Sequence, residues 1–421
     1  MKEEDILLTG RTSPRGLGWA GLLVLIGIAV LAAGCASVAN PDGWAPPTLV
    51  DDTLYVSIEP GRMAALDPED LSVKWVFPPD TDEGNKLDLE GIYAAPVVDD
   101  DTIYFGAYDG NVYALNADDG TALWRFETGD PVTGALALKD GRLYAGSNDG
   151  RLYALDIASC TNVCPPRDQV PSFDTGSSIW ASLLLVDDVI YVAAMDGRLH
   201  ALHAVTLEPA SGFSFKTDAG LLMDPTLADD DTLLVGGIDS KLYALDPKTG
   251  DEKWSFEGGN WFWGRPWVDG DTAFIADLDG NVYAVALAGG EPLWPKPFNA
   301  DAAVRSAPLL AGDTLVIVGR DGKTYGLNPD DGTRQWGPTL LGKSVLSNPF
   351  LLARTISPSV TTGPSPSPAA ASPSATPGAT AGGMAVGETV VLIVAQGGDL
   401  CTIDPADGSP AGALICAEVP L

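Results

Sequence analysis

Histidine is nearly missing: there are two, His200 and His203, in 421 residues. That excludes a three-histidine metal site and leaves imidazole acid–base chemistry almost nothing to work with. Positive charge is scarce as well. Lys and Arg number 24 against 57 Asp and Glu, a formal net charge of −33. Nucleic-acid binding is excluded as a first reading, because neutralising phosphates takes clustered Lys and Arg. Beyond residue 34 no apolar run is long enough to span a bilayer. The five cysteines include no adjacent pair and no CxxC. What is abundant points to sheet. Apolar residues make up 45%, ample for a packed core, and Gly (48) and Pro (33) are frequent. Such a composition suits a turn-rich all-β fold better than a helical one. At about 150 residues per domain the length suggests two or three domains, a prior that large closed β folds break.

The first 34 residues read as an export signal. Lys2, Arg11 and Arg15 precede an apolar run from Leu17 to Gly34, which ends Leu31-Ala32-Ala33-Gly34-Cys35. Small residues before a cleavage point suit the narrow groove of a signal peptidase. The sequence LAAGC resembles the bacterial lipobox, with Ala32 where Leu is commonest, and the resemblance implies lipidation of Cys35. The competing reading is an uncleaved anchor, since the 18 residues of the run just suffice to span. Either way the basic end stays cytoplasmic and the rest is exported to the bacterial cell envelope. This gives a signal peptide over 1–34 and a lipidated tether over 35–47, with the folded part following. The other cysteines fit an oxidising compartment. Cys160 and Cys164 share one loop, and Cys401 and Cys416 fall on what read as neighbouring strands, so we expect pairs 160–164 and 401–416. A zinc site is the alternative, weakened by the wide separation of the pairs.

One phrase recurs along the chain: Gly, any residue, apolar, Tyr, Ala, Leu, Asp or Asn. Its eight copies begin at Gly61, Gly110, Gly150, Gly197, Ser240, Gly280, Gly322 and Gly398. Neighbours stand 40 to 49 residues apart, except the last two, 76 apart. Each unit has four short runs of alternating apolar and polar residues, parted by Asp/Gly clusters. In the second unit the runs are Ala-Pro-Val-Val, Thr-Ile-Tyr-Phe, Val-Tyr-Ala-Leu and one ending at Trp124. Alternation at period two argues for strands, and Asp-Gly supplies the positive φ of tight hairpins. Four antiparallel strands at this repeat length form one blade of a β-propeller, so an eight-bladed propeller is expected over 48–421. The extra length in the last unit is a Pro/Ser/Ala-rich tract, about 355–384, that cannot bury apolar surface. Strand grammar on both sides reads it as an insertion between the first two strands of blade 8, which a loop tolerates at little entropic cost.

The segment Ala244-Leu-Asp246-Pro-Lys-Thr249-Gly250-Asp-Glu-Lys-Trp254 resembles the AxDxxTGxxxW motif of pyrroloquinoline-quinone (PQQ) repeat propellers. Looser copies end in Trp75, Trp124, Trp294 and Trp336. The resemblance implies that these five tryptophans pack between adjacent blades. Some members are PQQ-dependent dehydrogenases, which carry a Trp stacked on the quinone, a vicinal Cys–Cys disulfide, calcium held by acidic residues and a catalytic Asp. No vicinal pair exists here, and no acidic set can be assigned to calcium. The chain also resembles the BamB-like lipoproteins, non-catalytic propellers on a lipidated cysteine that bind a partner and act as scaffolds. The expectation is therefore a lipid-anchored, monomeric scaffold without cofactor or metal, binding an envelope protein or surface ligand. A PQQ-dependent dehydrogenase with calcium is the first alternative and a carbohydrate-binding propeller the second.

Loops that enter the innermost strands should gather on one face around the central channel. The most unusual is Gly259-Asn-Trp261-Phe262-Trp263-Gly-Arg265-Pro-Trp267. Corresponding loops supply Trp180, Arg305 and Lys343. Aromatics with Arg are common at binding hot spots and as stacking platforms, so Trp180, Trp261, Trp263, Arg265, Arg305 and Lys343 are the ligand or partner candidates. The bland reading has Trp263 and Trp267 plugging the channel against the inner strands, and the cations neutralising Asp88, Glu90, Asp218 and Asp224. His200 and His203 occupy Tyr and Asp slots of the repeat and, three apart on a strand, face opposite ways. The runs Asp99–Asp101 and Asp229–Asp231 lack the spacing of a calcium loop and fall where hairpins turn. The net charge serves solubility and keeps the protein off anionic lipid.

Overall fold

The computed structural model describes residues 45–58, 61–79, 87–229, 231–355, 387–411, 416–417 and 419. The signal segment, Cys35 and most of the Pro/Ser/Ala-rich tract lie outside them.

Asp-Gly hairpins and alternating runs do fold into blades. Eight separate four-stranded antiparallel sheets are present, each made of four strands consecutive in the chain. In blade 2 the strands, A to D from the channel outward, are Val97–Asp99, Thr102–Gly106, Asn111–Asn116 and Ala122–Glu127. Tyr104 pairs Ala114, which pairs Trp124. Strand D thus continues past Trp124 to Glu127, because the ladder with strand C keeps pairing as far as Asn111 with Glu127. All eight copies of the repeated phrase are C strands, from Arg62–Leu66 in blade 1 to Leu400–Ile403 in blade 8. The alternation holds on strand D of blade 2, whose tryptophan and phenylalanine are buried between exposed neighbours. Strands B and C instead are buried on both faces, because every blade is sandwiched between two others.

Backbone hydrogen bonds assign the connections to two faces. The B–C turn of a blade donates to the D–A loop entering the same blade: Tyr108 N–H to Gly91 O, Asn148 to Pro131, Leu278 to Trp261, Arg320 to Ala303. The C–D turns bond the A–B turns instead, as Ala117 N–H to Asp101 O and Leu287 N–H to Asp271 O. Of the Asp runs, Asp99 and Asp229 end strands A of blades 2 and 5, and Asp100, Asp101 and Asp231 precede strands B.

The tryptophans explain the motif. The Trp75 indole donates to Ala117 O of the next blade at 2.8 Å, Trp254 to Leu287 O at 2.7 Å, Trp294 to Pro329 O at 2.9 Å and Trp336 to Pro405 O at 2.9 Å. The motif glycine of that next blade lies against the ring. At Gly332, with φ +71°, an added Cβ would stand 2.6 Å from Trp294 Cδ2. Blade 3 departs from this scheme. Its C–D connection carries two 3₁₀ turns and the Cys160–Cys164 disulfide, and both cysteines pack in one cluster with Trp124. Cys401 bonds Cys416, tying strand D of blade 8 to strand C.

Candidate functional site

Each D–A loop enters its inner strand in extended conformation, so alternate residues face the channel. A cavity of ≈ 400 Å³ at the channel mouth is lined from the strand A entrances of blades 2 to 8 and by Pro46 and Pro47 before blade 1. The lining residues come in pairs two apart: Tyr93 and Ala95, Thr133 and Ala135, Trp180 and Ser182, Leu222 and Asp224, Trp263 and Arg265, Leu346 and Asn348, with Arg305 from blade 7. Most of the residues between them turn into the blades, and Ala181, Met223, Ser306 and Ser347 are nearly inaccessible. Gly264 is required at such a place, since a Cβ there would meet the Ser306 backbone at 2.7 Å.

Polar residues of this wall tie one blade to the next. Ala135 N–H donates to Ser182 Oγ at 3.0 Å, and Ser182 N–H donates to Asp224 Oδ1 at 2.7 Å. Farther round, Ala307 N–H donates to Asn348 Oδ1 at 2.7 Å. Burial pushes the Asp224 carboxyl above the ordinary carboxylate range, opposed by the Ser182 hydrogen bonds and by Arg265. The Arg305 guanidinium lies 4.8 Å from the centre of the Trp263 ring, a cation–π stack. Its pKa is lowered by burial and by the like charge of Arg320.

Four of the six candidates meet here: Trp180, Trp263, Arg265 and Arg305 line the cavity. The other two do not line it. Trp261 is 41% exposed, its carbonyl held by the B–C turn. Lys343 Nζ pairs with Asp399 Oδ2 at 2.5 Å, an acid that the sequence did not single out. Arg265 faces Asp224, as considered, but no ion pair joins the candidate cations to Asp88, Glu90 or Asp218 among the described residues. Trp267 is no plug: it belongs to strand A of blade 6 and packs, half-buried, beside Phe274 and Leu310. Ser182, Asn348 and Tyr93 were missed as site residues. Aligning the strand A entrances on Pro225, Pro266 and Pro349 would have found Asn348, since Asp224 and Arg265 likewise come one place before the proline; Ser182 is followed by Leu183 and has no such marker.

Several proteins are similar to this chain. The family described as "Outer membrane protein assembly factor BamB" matches over residues 81–214, 166–348 and 257–411. A human serine/threonine-protein kinase/endoribonuclease IRE2 is 30% identical over 121 residues, 28% of this chain and 13% of that protein. Outer membrane protein assembly factor BamB of Burkholderia pseudomallei is 33% identical over 105 residues, 24% of this chain and 27% of that one. A quinoprotein ethanol dehydrogenase of Pseudomonas aeruginosa is 28% identical over 155 residues, 31% of this chain and 25% of that one. The aligned stretches thus span well under half of these relatives. Among solved structures, BamB of Moraxella catarrhalis superimposes with a TM-score of 0.59 at 18% identity, covering 84% of this chain and 92% of that one, a likeness of fold.

Proposed function

Because the chain belongs to the family described as outer membrane protein assembly factor BamB, we propose that it is a non-catalytic scaffold that binds a protein partner at the bacterial cell envelope. A lipid on Cys35 holds it at the membrane, and the propeller works as a monomer on the exported side. Support for the docking face comes from Trp261. It is the one exposed tryptophan among the described residues, and Arg265 is exposed on the same loop. A bare tryptophan is costly to leave in water, and tryptophan and arginine are typical of the few residues that dominate binding energy. Repeated B–C to D–A hydrogen bonds hold that loop in place before any partner arrives.

The PQQ alternative asks for calcium, which takes six to eight oxygen ligands. Asp224 is the one carboxylate of the cavity wall and is committed to the Ser182 backbone. Among the described residues no three His, Cys, Asp or Glu group to hold a metal ion. The residues present do not fit a calcium–quinone pair.

The test is co-purification of the full chain from detergent-solubilised envelopes. Wild type should retain a membrane protein, and Trp261→Ala should reduce its recovery by about tenfold at unchanged melting temperature. No retained protein, together with a saturable complex of the purified chain with PQQ and Ca²⁺, would overturn the scaffold in favour of the dehydrogenase. Glycan binding abolished by Trp261→Ala would instead favour the carbohydrate reading.

A further inference from the structure

The charge at the channel mouth runs against the rest of the molecule. Several basic side chains outside the cavity stand next to acids: Lys139 with Asp188, Arg151 with Asp174, Lys253 with Asp231, Lys323 with Asp321 and Lys343 with Asp399. In a chain of net charge −33 such pairing is easily found. Arg265 and Arg305, in the cavity wall from adjacent blades, form no ion pair among the described residues. Arg305 instead feels the like charge of Arg320, and the buried Nε of Arg305 makes no hydrogen bond. A partly buried guanidinium without an ion-pair partner costs stability, which the Trp263 stack offsets only in part.

We propose that the mouth of the channel binds an organic monocarboxylate, its charge held by Arg305 with Arg265 and its body lying against Trp263 and Trp180. The size of ≈ 400 Å³ falls in the range of small-molecule pockets. Guanidinium presents a planar fork of donors that matches the two oxygens of a carboxylate. Trp263 fixes that plane through its stack at 4.8 Å. Asp224 is the one acid of the wall, set against the two guanidinium groups of Arg265 and Arg305, so the wall favours an anion. The half-buried tryptophans Trp180 and Trp263 supply apolar wall that an inorganic anion would leave unused.

The site needs no partner protein, so its test is separate from that of the scaffold. The full chain, purified in detergent, is titrated with 4-fluorobenzoate and followed by fluorine NMR, with 4-fluorobenzamide as the neutral isostere. Saturable binding of roughly millimolar strength is expected for the acid. The amide, and the acid with Arg305→Gln, should each bind about tenfold more weakly. Inorganic phosphate should not compete. Arg265→Gln, at an exposed position, should weaken the acid several-fold and stands in if Arg305→Gln fails to fold. Arg305→Lys should recover part of the loss, because charge returns without the fork. Absence of saturable binding, equal binding of acid and amide, or indifference to both arginine variants would overturn the proposal. Full displacement by phosphate would assign the site to inorganic anions and overturn it as well.

Discussion

At the scale of single residues, the inter-blade contact is a three-part device. A tryptophan on strand D, or just before it in the case of Trp294, packs on the neighbouring blade, its indole N–H donates to a carbonyl in that blade's C–D turn, and a glycine there lies flat against the ring. Burying one such ring contributes about 2–3 kcal/mol, and its N–H leaves no carbonyl unsatisfied. The glycine serves twice, since its φ is positive and its missing Cβ leaves room for the ring. Gly332→Ala should therefore cost roughly 2–4 kcal/mol, from left-handed strain plus a clash with Trp294. Gly176 is the control. It has φ +79° and open space within 4 Å of where a methyl would stand, so Gly176→Ala should cost only about 1 kcal/mol. Urea unfolding midpoints of the two variants measure the difference, and equal losses would show that backbone strain alone requires the motif glycine. This device was legible in the sequence because the Thr-Gly and the Trp keep a fixed spacing. The role of Cys160 and Cys164 against Trp124 was not, since blade 3 lacks the Thr-Gly of the motif and no repeated spacing marks the disulfide in its place.

At the scale of the blade, the repeat is most informative where it changes. Four blades place a tyrosine hydroxyl on the aspartate of the B–C turn, from Tyr113 on Asp109 at 2.5 Å to Tyr283 on Asp277 at 2.7 Å. Burial and the neighbouring carboxylate push these phenols well above their ordinary pKa. Blade 4 has His200 in that slot, its Nε2 3.6 Å from Asp196 Oδ2 and its ring against Phe173 of blade 3. Burial holds the imidazole below its ordinary value of 6.5, Arg198 adds to this, and Asp196 opposes it. The unfolded chain thus takes up the proton more readily than the folded one. This histidine's contribution is intact above the unfolded value, about 6.5, and is lost as pH falls from there toward the lower folded value. His200→Tyr should flatten that part of the stability profile and restore the hydroxyl–aspartate bond of the other blades. Thermal melts of both proteins between about pH 5 and pH 8 read the outcome, and parallel profiles would exclude His200 as the source of the slope.

At the scale of the whole molecule, the ring closes without a shared blade. Strands of blade 1 and of blade 8 each come from one stretch of chain, so among the described residues the seam is made by side chains. Leu54, Val56 and Leu66 meet Leu352, Val390 and Leu392 there. The last strand of blade 8 is only two residues, Cys416–Ala417, and Cys416 is bonded to Cys401. Replacing both Cys401 and Cys416 by Ala should cost about 3 kcal/mol, against about 2 kcal/mol for the shorter loop of Cys160 and Cys164. Hydrogen exchange should then rise in blades 8 and 1 and leave blades 3 to 6 protected. A uniform rise would mean that the ring opens as one unit and that the seam is no weaker than the rest. The sequence by itself determined the number of blades, the order of strands, the tryptophan ring and both disulfides. Each of these is set within one unit or between units that follow each other, so local spacing carries it. Only the tertiary structure decided the site. Channel-facing residues come from loops scattered along the whole chain and share a cavity only once the ring closes. That closure put Trp180, Trp263, Arg265 and Arg305 around Asp224, gave Lys343 to Asp399, and left Trp261 outside in water.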